Sequence, residues 1–291
     1  MAKEVHREVG EFAGVDTVAM SELEAAVGTM CSGERRRFKE DLGQGGQLDG
    51  ALLAQDSDTL VVTLHGLLDR EKFQIPRFER ARSTEPFGTS CLYWADPSLW
   101  LDPKLKLAWF TGVAAIDVLS LLAERSTAVA TQLGAKQVIF TGSSGGGFAA
   151  LQVSALVPGS TALVFNPQTE IYRYHTAMQR RYLANCRPDV LNGTPADRFT
   201  FDHDWSAPLD DRYSALRRYE RPTGNTVIYY SNSLDWHDEN HRQPFEQIVV
   251  TDDSRRYILH TYEQKGGHQP PSPGRFTDAL RDALATVSTG P

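Results

Sequence analysis

The sequence predicts an α/β protein with a mostly parallel central sheet flanked by helices and a cap inserted late in the chain. Strand-like runs near residues 59–65, 90–95, 137–141, 161–166, 226–231 and 257–262 alternate with helix-like segments near 113–133, 146–156 and 274–286. That order is what right-handed crossovers between parallel strands produce. A turn rich in glycine and serine, from Gly142 to Gly147, joins the run at 137–141 to a helix. The alternation breaks once, from about Gln168 to Pro222, where the connection far exceeds the usual length and should hold structure of its own.

Composition sets outer limits. A chain of 291 residues with 41 % hydrophobic content can bury one full α/β core. A net charge of −7 and a pI near 5.6 argue against nucleic acid as a partner, since a phosphate-backbone binder concentrates lysine and arginine on one face. Cys31, Cys91 and Cys186 are widely spaced, with no C-x-x-C, so neither a disulfide framework nor a zinc site is indicated. The first residues lack the apolar region of a signal peptide, and no run is long and apolar enough to span a bilayer. A soluble cytoplasmic protein is the expectation, and the oligomeric state is not legible.

Residues 1–58 read as an N-terminal segment joining the sheet of a domain that occupies 59–291. Its clearest pieces are helix-like Ser21–Val27 and strand-like Gln47–Leu53, the latter suited to an antiparallel lead-in. Thr59 to Leu64 is a buried-type strand running into His65-Gly66-Leu67. The run at 90–95 contains Cys91, expected to serve as a small core hydrophobe.

The segment Gly142-Ser143-Ser144-Gly145-Gly146 fits G-x-S-x-G, the nucleophile elbow, and the register selects Ser144, because Ser143 would need glycine where Thr141 stands. A nucleophile on a sharp strand-to-helix turn sits in strained backbone, and side chains two residues either side would collide. A plain Gly/Ser linker competes with this reading, but the β-type run before and the helix-like Phe148–Leu156 after weaken it. A phosphate loop would need a lysine that is absent. A dinucleotide turn is the remaining rival, since Gly145-x-Gly147-x-x-Ala150 fits G-x-G-x-x-A, with Glu170 placed for a ribose contact.

A serine hydroxyl needs a histidine base and a carboxylate to orient it. The strand-like Thr226–Ser231 empties into Asn232-Ser-Leu-Asp235-Trp-His-Asp238, where Asp235 is the expected acid and Asp238 its competitor. The run Tyr257–Tyr262 leads to Gly266-Gly267-His268, a flexible loop suited to bring a base over the sheet edge. His260 lies inside its strand, His6 is terminal, and His175, His203, His237 and His241 read as surface or packing residues.

With His65-Gly66, the elbow, Asp235 and His268 in this order, the chain resembles the α/β-hydrolase superfamily from roughly Thr59 to Ala285. The resemblance implies the serine at the carboxyl edge of the sheet and an oxyanion hole formed by the backbone N–H groups of Gly145 and Leu67, with His65 and Gly66 shaping the turn. His-Gly-Leu-Leu departs from the HGGG form of many esterases, so that subgroup is not indicated. His65 and Asn166, each at the end of its strand, should lie beside the serine and contact the substrate. Ile171, Tyr174, Met178 and Tyr182 recur at helical spacing in the insertion, and the last three are expected to bind substrate from a cap.

The expected activity is cleavage of an ester, or of a thioester or amide, through an acyl-enzyme, with a small-molecule or acylated substrate and no metal or organic cofactor. Acyl transfer to an alcohol uses the same apparatus. A non-catalytic binding protein on the same scaffold and a nicotinamide-dependent oxidoreductase are the readings from other classes.

Overall fold

The computed structural model describes residues 12–250 and 256–288; His6 lies outside them. The chain opens with β1 (Thr17–Ala19), α1 (Met20–Ala26), β2 (Arg35–Asp41), β3 (Gln47–Leu53) and β4 (Thr59–Leu64), followed by α2 (Ala81–Thr84) and β5 (Ser90–Ala95). A small hairpin of β6 (Gly112–Val113) and β7 (Ile116–Asp117) precedes α3 (Val118–Leu133), β8 (Gln137–Ser143), α4 (Gly145–Ala155) and β9 (Thr161–Phe165). The insertion carries α5 (Thr176–Cys186) and α6 (Ala215–Tyr219), and the chain closes with β10 (Thr226–Asn232), α7 (Gln243–Val249), β11 (Arg256–Tyr262) and α8 (Pro273–Ser288).

Nine strands form one sheet in the order β1-β2-β3-β5-β4-β8-β9-β10-β11. From β5 to β11 every neighbouring pair is parallel, while β3 is antiparallel to both β2 and β5. The central strands β4, β5 and β9 are buried along their whole length, as strands covered on both faces must be. Their side chains divide with period two between two cores. Leu60, Val62, Phe140 and Val164 face the layer of α3 and α4, whereas Val61, Cys91, Ile139 and Leu163 face Phe276, Leu280 and Ala283 of α8. Cys91 is indeed a buried core residue.

Three departures from the sequence expectation have local causes. Strand β2 is missing from it because six of its seven residues are charged and only Phe38 is buried, so no apolar alternation marks it. Helix α3 starts at Val118 rather than near 113, because the β6–β7 hairpin occupies the start and Asp117 caps the helix by accepting from the Ser120 N–H at 3.1 Å. The insertion is also not all cap. Its second half packs along α4, with Gln152 Nε2 donating to the Asp211 carbonyl at 2.8 Å and the Tyr219 hydroxyl donating to the Leu151 carbonyl at 3.0 Å. Among the described residues no helix is long and apolar enough to cross a membrane.

Candidate active site

All the parallel strands end at one edge of the sheet, and the loops that follow β4, β8, β9, β10 and β11 meet there. At the β8–α4 junction Ser144 holds φ 55° and ψ −120°, a strained conformation for a residue with a side chain. The turn closes because its flanks are bare. A Cβ on Gly142 would lie 2.4 Å from the Gly146 carbonyl carbon, and one on Gly146 would lie 2.2 Å from the Leu64 carbonyl oxygen. Ser143, by contrast, is the buried last residue of β8.

His268 hangs from the loop after β11, where Gly266 and Gly267 take φ values of 106° and 75° that favour glycine. Its Nε2 lies 2.8 Å from Ser144 Oγ and its Nδ1 lies 2.6 Å from Asp235 Oδ2. Asp235 follows β10 and is almost fully buried. Asp238 is occupied elsewhere, accepting from Ser231 Oγ at 2.7 Å and pairing with Arg242.

Two further residues complete the arrangement, and the sequence did not single them out. His237 stacks on His268, with ring centroids 3.7 Å apart and planes 12° from parallel. Its Nδ1 lies 3.1 Å from Asp235 Oδ1 and its Nε2 lies 3.2 Å from Gln168 Nε2. Gln168 Nε2 also donates to Ser144 Oγ at 2.7 Å, and Gln168 Oε1 accepts from Trp109 Nε1 at 2.9 Å. The signal that could have pointed to them is positional: Gln168 lies just past the end of β9, and His237 two residues beyond the acid.

No family model and no curated protein sequence matches the chain significantly. Solved structures do. An S-formylglutathione hydrolase from Agrobacterium tumefaciens superposes with a TM-score of 0.56 at 15 % identity, over 90 % of this chain and 97 % of that one. A fluorophosphonate-binding serine hydrolase of Staphylococcus aureus, FphF, gives a TM-score of 0.55 at 9 % identity, over 88 % of this chain and 99 % of that one. The capsule O-acetyltransferase of Neisseria meningitidis serogroup A gives 0.59 at 11 %, over 85 % of this chain and 93 % of that one. The chain has the α/β-hydrolase fold.

Within that fold the loop after β4 lies directly against the elbow. A Cβ on Gly66 would stand 2.9 Å from the Ser143 carbonyl oxygen and 3.9 Å from the Gly145 nitrogen. Among the described residues neither the Leu67 N–H nor the Gly145 N–H has a hydrogen-bond partner, which leaves both donors free for a ligand. The α/β-hydrolase elbow also displaces the dinucleotide reading. Leu107 Cδ1 and Gln168 Oε1 lie 2.5 and 3.3 Å from where a Gly145 Cβ would be, so packing within the protein accounts for that glycine.

Several expected substrate contacts turn out to be framework. His65 is buried, with Nδ1 bonded to the Gly66 carbonyl at 2.9 Å and Nε2 accepting from the Asp96 N–H at 3.0 Å. Asn166 is buried too, donating to the Tyr262 hydroxyl at 2.9 Å and accepting from the Asn232 N–H at 2.6 Å, so it ties three strand ends together. Tyr182 is fully buried, its ring edge-on to Trp109 and its hydroxyl 2.7 Å from Thr111 Oγ1. These three are buried and their polar atoms are bonded within the protein, so they present no surface to a substrate. Met178 is partly buried against the same core. Tyr174 alone of the insertion stripe reaches the loop that carries Asp235, stacking on Trp236 and lying 6.0 Å from the His237 ring.

Burial opposes the charge on Asp235, but hydrogen bonds from His237 and His268 outweigh it and hold the carboxyl well below the usual range. Burial pushes the His237 imidazole down to about 4, against the pull of Asp235. Asp235, His237 and His268 are the one trio among the described residues that could hold a metal ion. Their ligand atoms are bonded to one another, however, and two imidazoles stacked 3.7 Å apart cannot both direct an in-plane lone pair at one ion. The arrangement is a continuous set of hydrogen bonds from Ser144 through His268 to Asp235.

Proposed function

We propose that the chain is a serine hydrolase that cleaves an ester, or by the same chemistry a thioester or amide, through an acyl-enzyme. One observation carries the reading: on a strained elbow, Ser144 Oγ lies 2.8 Å from His268 Nε2, whose Nδ1 lies 2.6 Å from a buried Asp235. Those distances suit a base taking the hydroxyl proton as oxygen attacks a carbonyl carbon. The Gly145 and Leu67 N–H groups hold the oxyanion, and collapse expels the alcohol, to which His268 returns the proton. Water then attacks the acyl-enzyme by the same route. Metal and organic cofactors have no part in these steps.

A fluorophosphonate probe tests the reading, because it labels only an activated serine. The expected result is a single adduct on Ser144 that disappears in Ser144→Ala. An unlabelled wild-type protein, or equal labelling of the variant, overturns it.

Acyl transfer to an alcohol is the second reading. It is favoured by the fold shared with the capsule O-acetyltransferase of Neisseria meningitidis, since the same apparatus can accept an alcohol in place of water. Partition of a small activated ester between water and alcohol acceptors separates the two outcomes.

A further inference from the structure

We propose that Gln168 and His237 form a positioning arm that runs from Ser144 to Asp235 beside His268, closing the triad into a ring and fixing the direction of every proton in it. The inference rests on the serine-hydrolase reading and adds two residues to it.

The directions follow from donor chemistry. Trp109 Nε1 can only donate, so the Gln168 oxygen facing it at 2.9 Å accepts and Nε2 carries the donors. One of those donors goes to Ser144 Oγ at 2.7 Å, and the other faces His237 Nε2 at 3.2 Å. His237 Nε2 therefore accepts, its proton sits on Nδ1, and it donates to Asp235 Oδ1. His268 donates to the other carboxylate oxygen. Two chains of hydrogen bonds thus leave the Gln168 amide and converge on one carboxylate.

Three effects result. With its oxygen already accepting from Gln168, the Ser144 hydroxyl directs its proton at His268 Nε2 and not elsewhere. With each oxygen of Asp235 held by a different imidazole, the charge is divided and neither ring can rotate. With His237 neutral, His268 can become an imidazolium without a second cation 3.7 Å away. The groups facing His237 are Asp235, His268, His175, His241 and Tyr174. Burial outweighs the attraction of Asp235 among them and keeps the ring uncharged. Trp109 anchors the arm from backbone at φ 55°, next to Phe110 at φ 56°, whose N–H is fixed by Asp96 Oδ2 at 2.8 Å.

The decisive comparison is Gln168→Glu against Gln168→Ala. Glutamate has the same size, but it offers Ser144 an acceptor that turns the hydroxyl proton away from His268, and it favours a charged His237. The expected loss in probe-labelling rate is about tenfold for alanine and about 10²-fold or more for glutamate, the scale of a misplaced reacting group. A residue that only fills space gives the opposite order, and that result overturns the proposal. His237→Phe keeps the stack and removes both hydrogen bonds. It should lower kcat more than it changes KM and move the acidic limb of the pH profile upward, as the Asp235 charge returns to one imidazole.

¹⁵N-histidine NMR of the wild-type full chain reads the arm without any variant. The expected spectrum places the His237 proton on Nδ1 at neutral pH and shows two imidazole N–H groups bonded to carboxylate. A His237 proton on Nε2, or a doubly protonated ring at neutral pH, overturns the arm even where a variant fails to fold. A wild-type protein that the probe leaves unlabelled overturns the serine-hydrolase reading instead, and the histidine spectrum still decides the ring.

Discussion

His65 follows the central strand β4 and His237 follows β10 at the same edge of the sheet, and the two look alike in isolation. Both are buried, burial pushes both down to about 4, and each uses both ring nitrogens in hydrogen bonds. They differ in what those bonds hold. His65 bonds only to the backbone at Gly66 and Asp96, so it fixes the path of two loops. His237 bonds to the side chains of Asp235 and Gln168, which in turn bond His268 and Ser144. A perturbed, buried imidazole therefore says little about function until its partners are known.

The largest expected effect calibrates the site to which one of these histidines belongs. Ser144→Ala should lower turnover by about 10⁶, the scale of a lost triad nucleophile, while Ser143→Ala retains most activity. Equal losses in steady-state assays would move the elbow by one residue and dissolve the link from Gln168 to the nucleophile. Next, Asp235→Asn should cost about 10⁴ in turnover, since the carboxylate fixes the imidazole tautomer. Asp238→Asn should instead reduce stability by about 1–3 kcal/mol, as Arg242 and Ser231 lose a partner, with little effect on kcat. A reversal of that pair would place the acid at 238.

His65→Ala breaks the comparison most directly. It orphans the buried Asp96 N–H and should lower unfolding free energy by about 1–3 kcal/mol, while the pH profile of the folded protein keeps its shape. A shifted profile would mean that His65, like His237, reports on the chemistry. Both histidines also share a consequence for stability. Their folded values lie below the unfolded value of about 6.5, so the stability they retain at neutral pH is lost as pH falls from there toward about 4. Each should steepen that fall by about 1.4 kcal/mol per pH unit, and urea midpoints from pH 7 to 4 should flatten when either ring is replaced. The smallest effect separates two tyrosines of the insertion. Tyr174→Ala should alter relative kcat/KM among acyl esters by roughly 10- to 200-fold, because it stacks on Trp236 beside the histidines. Tyr182→Phe should leave the ranking alone and cost about 1 kcal/mol of stability for its bond to Thr111.

The sheet was legible wherever burial on two faces leaves continuous apolar runs, as in β4, β5 and β9. It was illegible at the charged strand β2, where one apolar residue in seven carries no period. The elbow could be read because its chemistry forces glycine at fixed spacing, and Asp235 and His268 because each follows a strand end. Gln168 and His237 could not. Their meaning lies in a stack and a pair of hydrogen bonds between loops distant in sequence, which no local pattern encodes. Tyr182 misled for the complementary reason: helical spacing marks a buried stripe but not which neighbour it faces.

The double attachment of the insertion bears on how this scaffold can be re-engineered. Residues 211–219 cover α4, with Gln152 and Leu151 bonded to them, and α5 buries Tyr182, Leu183 and Cys186 in the main core. Exchanging 168–222 as one cassette would strip a helix layer from the domain and remove Gln168 with it. A shorter cut, from α5 to the segment before Asp210, would open the main core where Tyr182 meets Trp109 and Thr111, so the insertion is better altered residue by residue than exchanged.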